Sequence, residues 1–516
     1  VATPTLGGTP TFIHYCETDD WTSSDGTDAE IKKEGTYSIA WVARGSTSDT
    51  TQWDRGSGID LTGQHFRIWI NHAAIPYLDP ESGGGFQVGL SSDNTNWAWW
   101  TLFGSDTYEG GWFNGIIDCD STPTSGSYTK TSVRYYRLLV NTSGLAANKV
   151  NTWYDYLRYG DGYYATGGTS GDEIDLAGIL AQDIANGYGM LLTYEGIYFA
   201  YGKLTIGNGA TTTWFEMLNE VLVFTDSPVA STLYEVVGAG SGCRININNS
   251  VLRAAGSASF GFDMSDTNLL VCTITSMLLG TNGGAVAFKS GQTVTGNTFD
   301  GCGTITAGGA DLTGSVVKGY EGTADSGALL WNVGTDPDGY LDDMVFTKGT
   351  ASTHAIYFGT SAPTSITLRG ITFSGYNASD GQTDSTFYVA APSGTVTISL
   401  VGCSGNATYK SAGATVTVSS DVTMQVTVKD QDGVAVVGAQ VAVYRESDDT
   451  ELMNEDTVAG GVASESTNYP GSDFAVYIRV RKSSTGDTRY VPAVAGGTVT
   501  STGMNVTITL REEGVT

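Results

Sequence analysis

Six stretches of this chain share one pattern: Ile247–Leu252, Ile274–Leu279, Val294–Phe299, Leu312–Val317, Leu341–Phe346 and Leu368–Phe373. Each opens on an aliphatic residue. Two small or polar residues and a variable one follow, and an aliphatic or aromatic pair or near-pair closes it. Their starts step by 27, 20, 18, 29 and 27 residues, and a weaker copy begins at Leu400. Between copies runs a second short apolar segment: Phe260–Phe262, Val286–Phe288, Leu330–Trp331, Ile356–Phe358, Phe387–Val389 and Val416–Val418.

A unit of ~18–30 residues with two or three short strands cannot bury its own inward row. Stacking such units at ~4.8 Å pairs each backbone group with the turn above and below. The inward aliphatics then form one continuous column. Corners must turn sharply, which explains their Gly, Asn and Ser. The uneven period fits, because extra residues are absorbed at a corner without disturbing the stack. The pattern predicts a right-handed parallel β-helix, reaching back through Val221–Phe224 to about residue 190. Ahead of it, Ile174, Leu176, Ile179, Leu180 and Ile184 recur at helical spacing within 172–186. Asp172 reads as the N-cap and Gly187 as the stop of a short helix that caps or connects.

Composition shifts on either side. Nine of the eleven tryptophans lie before residue 160. There, Ser38–Ala43, His65–Ile70 and Val133–Val140 alternate with period 2 between turn clusters such as Ser82–Gly85. Many short strands without helices argue for a two-sheet sandwich. After about residue 421 the strands lengthen and gain a charged face, as in Val422–Tyr444, Tyr477–Lys482 and Met504–Leu510. The expected fold is therefore all-β in three domains. Residues 1–166 form a sandwich, 167–421 the short helix and parallel β-helix, and 422–516 a second sandwich.

In texture, Glu34–Ile39, Ile59–Thr62 and Tyr135–Leu138 resemble the jelly-roll modules of concanavalin-like and carbohydrate-binding domains. The central repeat resembles the pectate-lyase-like β-helix of phage tailspikes. The terminal segment resembles Ig-like and carboxypeptidase-regulatory-like sandwiches. Together the series resembles bacteriophage virion surface proteins of the spike, fibre or decoration type. That resemblance implies a structural role at the virion surface, assembly in the host cytoplasm, and other virion proteins as partners. It further implies host-surface polysaccharide as a possible ligand and a homo-oligomer, with a trimer favoured. A β-helix polysaccharide depolymerase and an exported bacterial adhesin are the alternatives.

Charge narrows the partners. Acidic residues outnumber basic ones 54 to 25, for a net charge of −29. Nucleic acid and anionic membranes both need a basic face. No run of 18 apolar residues exists to enter a bilayer, and Val1–Leu6 has neither a charged nor an apolar leader pattern. The six cysteines, Cys16, Cys119, Cys243, Cys272, Cys302 and Cys403, form no CxxC pair and read as buried free thiols.

No catalytic residue is assigned. Only four histidines occur, without HExxH, a G-x-S-x-G elbow or a Walker loop. Glycoside hydrolysis needs only two carboxylates across a groove, so Glu216, Glu220, Asp300, Asp342 and Asp343 are candidates for the depolymerase alternative. The one cofactor considered is calcium, with Asp336, Asp338 and Asp342 as its candidate ligands; their spacing is reminiscent of a calcium loop but lacks its full pattern. The best binding candidates are aromatic: Trp97, Trp99, Trp100, Tyr108 and Trp112. A sugar ring presents an apolar CH face that stacks on indole or phenol. Strand alternation puts Trp97 and Trp99 on one face and Trp100 on the other.

Overall fold

A computed structural model describes the chain except residues 34, 44–47, 74, 109, 143–149, 161, 226–231, 237–241, 256–258, 268, 470–472, 484–487, 501, 515 and 516. Glu34 thus lies outside the described residues. The described residues form 44 strands and a single α-helix, so the chain is nearly all β. It divides into two compact units, Val1–Ala287 and Phe288–Thr516.

The first unit opens with two antiparallel sheets. One is ordered Ser125–Gly126, Trp97–Phe103, Phe86–Ser91, Val133–Asn141, Ser48–Ile59. The other is ordered Gly26–Asp28, Ser38–Ala43, Val150–Tyr159, His65–His72, Trp112–Asp118. Alternation sends Phe86, Val88, Leu90, Tyr136 and Leu138 from the first sheet, and Ile39, Trp41, Phe66, Ile68 and Ile70 from the second, into one shared core. The opposite face of the second sheet is also covered. There Arg67, Trp69, Asp155 and Arg158 are buried. Arg67 donates to the carbonyls of Gly160 and Tyr201, and Trp69 packs edge-on against Tyr201. Burying these polar groups requires that they find partners. The first sheet keeps its outer face toward solvent.

The rest of the first unit is built from successive turns of chain that pair in parallel, in register. Ile197–Ala200 pairs with Val221–Phe224, that strand with Val251–Ala254, and that with Leu278–Gly280. A second series runs Gly162–Thr166, Lys203–Ile206, Thr232–Val236, Gly261–Asp263. A third runs Thr213–Leu218, Cys243–Asn248, Leu269–Thr275. Inward residues align in columns such as Leu222, Leu252 and Leu279, all buried. Residues 162–166 belong to these turns rather than to the sandwich, and Thr5–Gly7 joins them from the chain's start.

The helix spans Leu176–Asn186, three residues shorter at its start than the expected cap implies. Asp175, not Asp172, caps it by accepting from the Gly178 N–H. Gly187 ends it in the left-handed conformation as expected. Leu176, Ile179 and Leu180 are buried, but Ile184 is 65% exposed.

The second unit repeats the parallel arrangement. Thr298–Asp300, Val316–Tyr320, Val345–Lys348 and Thr372–Ser374 pair in sequence and stack Phe299, Val317, Phe346 and Phe373 inside. Gly327–Trp331, His354–Phe358, Phe387–Val389 and Tyr409–Ser411 form another series. The expected strand at Val416–Val418 is not the next member of that series. It belongs to the long strand Thr415–Lys429, which pairs in parallel with Thr395–Val401. The same strand then enters the terminal sandwich, antiparallel to Val462–Tyr469 and parallel to Met504–Thr509. Residue 421 therefore falls inside a strand. The terminal sandwich has its own core of Val426, Val428, Val441, Val443, Ile478 and Val480 among others.

One backbone feature recurs through all the repeats. Asn219, Asn249, Ser276, Gly296, Gly314, Asp343, Gly370 and Gly402 all have φ between 48° and 69°. Each is the third residue of a copy, including an earlier copy beginning at Met217. This is the corner between two strands, and left-handed geometry favours Gly, with Asn and Asp the most tolerant of the rest. The fourth residue turns inward: Ser250, Met277, Asn297, Ser315, Met344 and Ile371 are all buried.

Candidate functional site

The solvent face of the first sheet carries an aromatic shelf. Trp97 and Trp99 are half-buried and point outward, while Ala98 and Trp100 point in. The two indoles stack with centroids 5.7 Å apart and planes at 28°. Trp99 lies opposite Gly89, which in turn lies opposite Arg137, and Arg137 opposite Gln52. Gly89 leaves its strand bare beneath the Trp99 ring. The Arg137 guanidinium sits 4.0 Å from the Trp97 ring centroid, a cation–π contact worth ~0.5–1 kcal/mol at such a site. Gln52 Oε1 accepts from both Arg137 Nε, at 3.0 Å, and Nη2. A rigid apolar shelf thus adjoins a fixed, planar hydrogen-bond donor. The arrangement can receive the CH face of a sugar ring and bind its hydroxyls at the edge.

Three of the five aromatic candidates do not contribute. Trp100 is 7% exposed, donates through Nε1 to Ser121 Oγ at 3.1 Å and meets Tyr128 edge-on. Tyr108 is 5% exposed and stacks on Phe103. Its hydroxyl accepts from the His72 N–H at 2.9 Å and donates to the Gly111 carbonyl. Both are core residues with their polar tips satisfied. Trp112 is half-buried in the other sheet, opposite Asn71. Arg137, Gln52 and Gly89 escaped the sequence reading. The alternation within Val133–Val140 was the available signal for Arg137.

The three aspartates read as a calcium loop do not form one. Asp336 Oδ1 accepts from the Thr367 N–H at 2.7 Å and from the Asp338 N–H at 3.3 Å. Asp338 forms a two-point ion pair with Arg369, at 2.5 and 3.3 Å. Asp342 accepts from the Gly339 N–H. These carboxylates hold a turn and neutralise an arginine. Among the described residues, no group of three or more His, Cys, Asp or Glu side chains converges as metal ligands.

The paired carboxylates sort by position. Asp343 is a corner residue with φ 58°, and its exposed side chain follows from that geometry. Asp300 pairs with Lys318 at 3.1 Å. Glu220 differs. It occupies the inward fourth slot that Ser250 or Met277 fills in later copies, and its Oε2 has no hydrogen-bond partner. Burial, with Asp175 and Glu216 nearby, pushes its carboxyl up to about 7. Glu216 is raised too, by burial first and then by Glu173 and Asp175.

No family model matches the chain, and no curated protein matches it in sequence. Two solved structures are similar in part. One is described as the structural basis for the promiscuous specificity of carbohydrate-binding modules from the β-sandwich superfamily, at 10% identity and TM-score 0.19, covering 31% of this chain and 58% of that one. The other is described as a structural analysis of an exo-β-agarase, at 9% identity and TM-score 0.22, covering 30% of this chain and 25% of that one. Likeness of this degree carries no argument about function.

Proposed function

We propose that this chain is a non-enzymatic structural protein of a bacteriophage virion surface, and that its first sandwich adheres to host-surface polysaccharide. In this reading the first sandwich is a jelly roll, the in-register turns are a right-handed parallel β-helix, and the terminal sandwich is Ig-like. The observation that carries the adhesive part is the Trp97–Trp99 shelf with Arg137 beside it. Large half-exposed aromatics on a sheet face lose contact with water only when something flat covers them. The virion part rests on the resemblance of the modular series, on the stiffness of hydrogen-bonded stacked turns, and on the acidity that keeps particles apart.

The adhesive role is tested by binding of the full chain to a panel of neutral surface polysaccharides. Trp97→Ala/Trp99→Ala should lower affinity at least tenfold, about 1.4 kcal/mol, while the variant still unfolds in one cooperative transition above the assay temperature. Unchanged binding by the variant would reject the shelf. Antibody labelling of intact particles in electron micrographs tests the virion role, and absence from every particle would reject it.

Glu220 favours one second reading, the depolymerase. A carboxyl raised to about 7 is a poised proton donor, and Glu216 is near enough to add to that shift. New reducing ends released from polysaccharide by the native chain, and lost in Glu220→Gln, would establish that reading over the structural one.

A further inference from the structure

The terminal sandwich repeats the first sandwich's device with different residues. On the outer face of its sheet Glu451–Asp456, Gln440–Arg445, Phe474–Arg481, Ala493–Val499, Tyr444 lies opposite Tyr477. The two rings stack at 5.2 Å and 20°. The Arg479 guanidinium lies 5.4 and 5.1 Å from their centroids. A glycine, Gly496, sits across from Tyr477, as Gly89 does from Trp99. The rings are pinned at their far ends: Tyr444 donates to Glu451 at 2.9 Å and Tyr477 to Asp449 at 2.8 Å.

Beside the rings the sheet is indented. Ala442 is small, and Gln440, Asn454, Arg479, Arg481 and Val494 surround it, leaving a depression of about 390 Å³. That lies within the ~300–1,000 Å³ typical of ligand sites. Its walls are ordered by hydrogen bonds. Arg481 Nε donates to Gln440 Oε1 at 2.6 Å, and Gln440 Nε2 to Asn454 Oδ1 at 3.0 Å.

The charge pattern bears on what this face could receive. This chain has 54 acidic residues for 25 basic ones, yet neither Arg479 nor Arg481 is paired with a carboxylate among the described residues. The nearby Glu451 and Asp449 are engaged by the tyrosine hydroxyls. Two unpaired guanidinium forks on one strand are built for a carboxylate, which they can receive in two-point fashion. The tyrosine pair beside them suits the flat apolar face of a sugar ring.

We propose that the outer face of the terminal sandwich is a second saccharide site, selective for sugars that carry a carboxylate, such as uronates. It goes beyond the shelf of the first sandwich, where one arginine, Arg137, stands beside the tryptophans, whereas here two stand on one strand.

The test is isothermal titration of the full chain with tetragalacturonate, with maltotetraose and pentaglutamate as comparisons. Tetragalacturonate should bind, more weakly as salt rises. Arg479→Gln/Arg481→Gln should lower its affinity at least tenfold, and Val494→Glu, which places a negative charge in the depression, should abolish binding. Trp97→Ala/Trp99→Ala should leave it unchanged. The proposal is overturned if the arginine variant binds as the native chain does, if pentaglutamate binds as well as the uronate, or if only the tryptophan variant loses binding. Failure here leaves the first shelf standing, because that shelf is read with neutral polysaccharides and tryptophan variants.

Discussion

Trp99 lies across Gly89 so closely that a Cβ on the glycine would sit 2.7 Å from the ring's Cζ3 atom. The glycine is therefore part of the shelf, although it offers no group to a ligand. Gly89→Ala should fold normally, since its φ is ordinary for a strand residue. It should tilt Trp99 away from Trp97 and weaken glycan binding about fivefold, ~1 kcal/mol. Titration with the polysaccharide that the native chain binds best checks this. An unaltered affinity would mean that the stack is not the contact surface.

The left-handed corners predict a sharp ordering of substitutions. Asn249→Gly should be tolerated within ~0.5 kcal/mol, because glycine takes φ 48° without strain. Gly370→Val should cost more than ~2 kcal/mol. Its backbone has φ 65°, and a Cβ there would meet the Asp343 carboxylate at 2.0 Å. Chemical denaturation of the two variants decides, and equal stability would refute the corner account.

Glu220 predicts an unusual pH response. Its folded pKa, about 7, lies above the ordinary 4.5. Between those values the folded chain holds a proton that the unfolded chain has released. Stability at this site is therefore full below pH 4.5 and lost as pH rises through 7. With the group half-exposed, screening reduces the effect to roughly 1 kcal/mol. Glu220→Met, which copies the residue at 277 and 344, should remove this component. Melting curves at pH 5 and pH 8 for both proteins measure it.

The cysteines should resist reagents. All six are free in the structure, and five are buried. Burial pushes the Cys119 and Cys243 thiols up to about 12 and Cys403 up to about 11, so little thiolate exists at pH 8. Ellman titration should find six thiols in denaturant and almost none quickly in the native protein, with the half-buried Cys403 reacting first. A reductant should leave the melting temperature unchanged.

Much of the architecture was legible because inward aliphatics and turn residues recur together. The copies at Ile247, Ile274 and Leu368 each mark a strand end, a corner and a strand start. The corner's conformation was not legible. Without it, the Asp342–Asp343 pair looked like chemistry, when the second aspartate is there because it tolerates a left-handed backbone. Trp97, Trp99 and Trp100 sorted by alternation alone. Tyr108 follows the strand's end, where no alternation exists to be read, and its burial depends on Phe103 and the His72 backbone. The change of texture near residue 421 was real, yet composition cannot show that hydrogen bonding continues through it along Thr415–Lys429. The second aromatic pair was hidden because Tyr444 and Tyr477 are 33 positions apart and meet only through strand pairing.

The eight left-handed corners have an evolutionary consequence. Asparagine, serine, aspartate and glycine all serve there, and serine, methionine, asparagine and isoleucine all serve in the slot that follows. An architecture that asks so little of each letter can drift until descendants share a shape and almost no spelling, which makes ancestry in such chains easier to trace by backbone geometry than by residue identity.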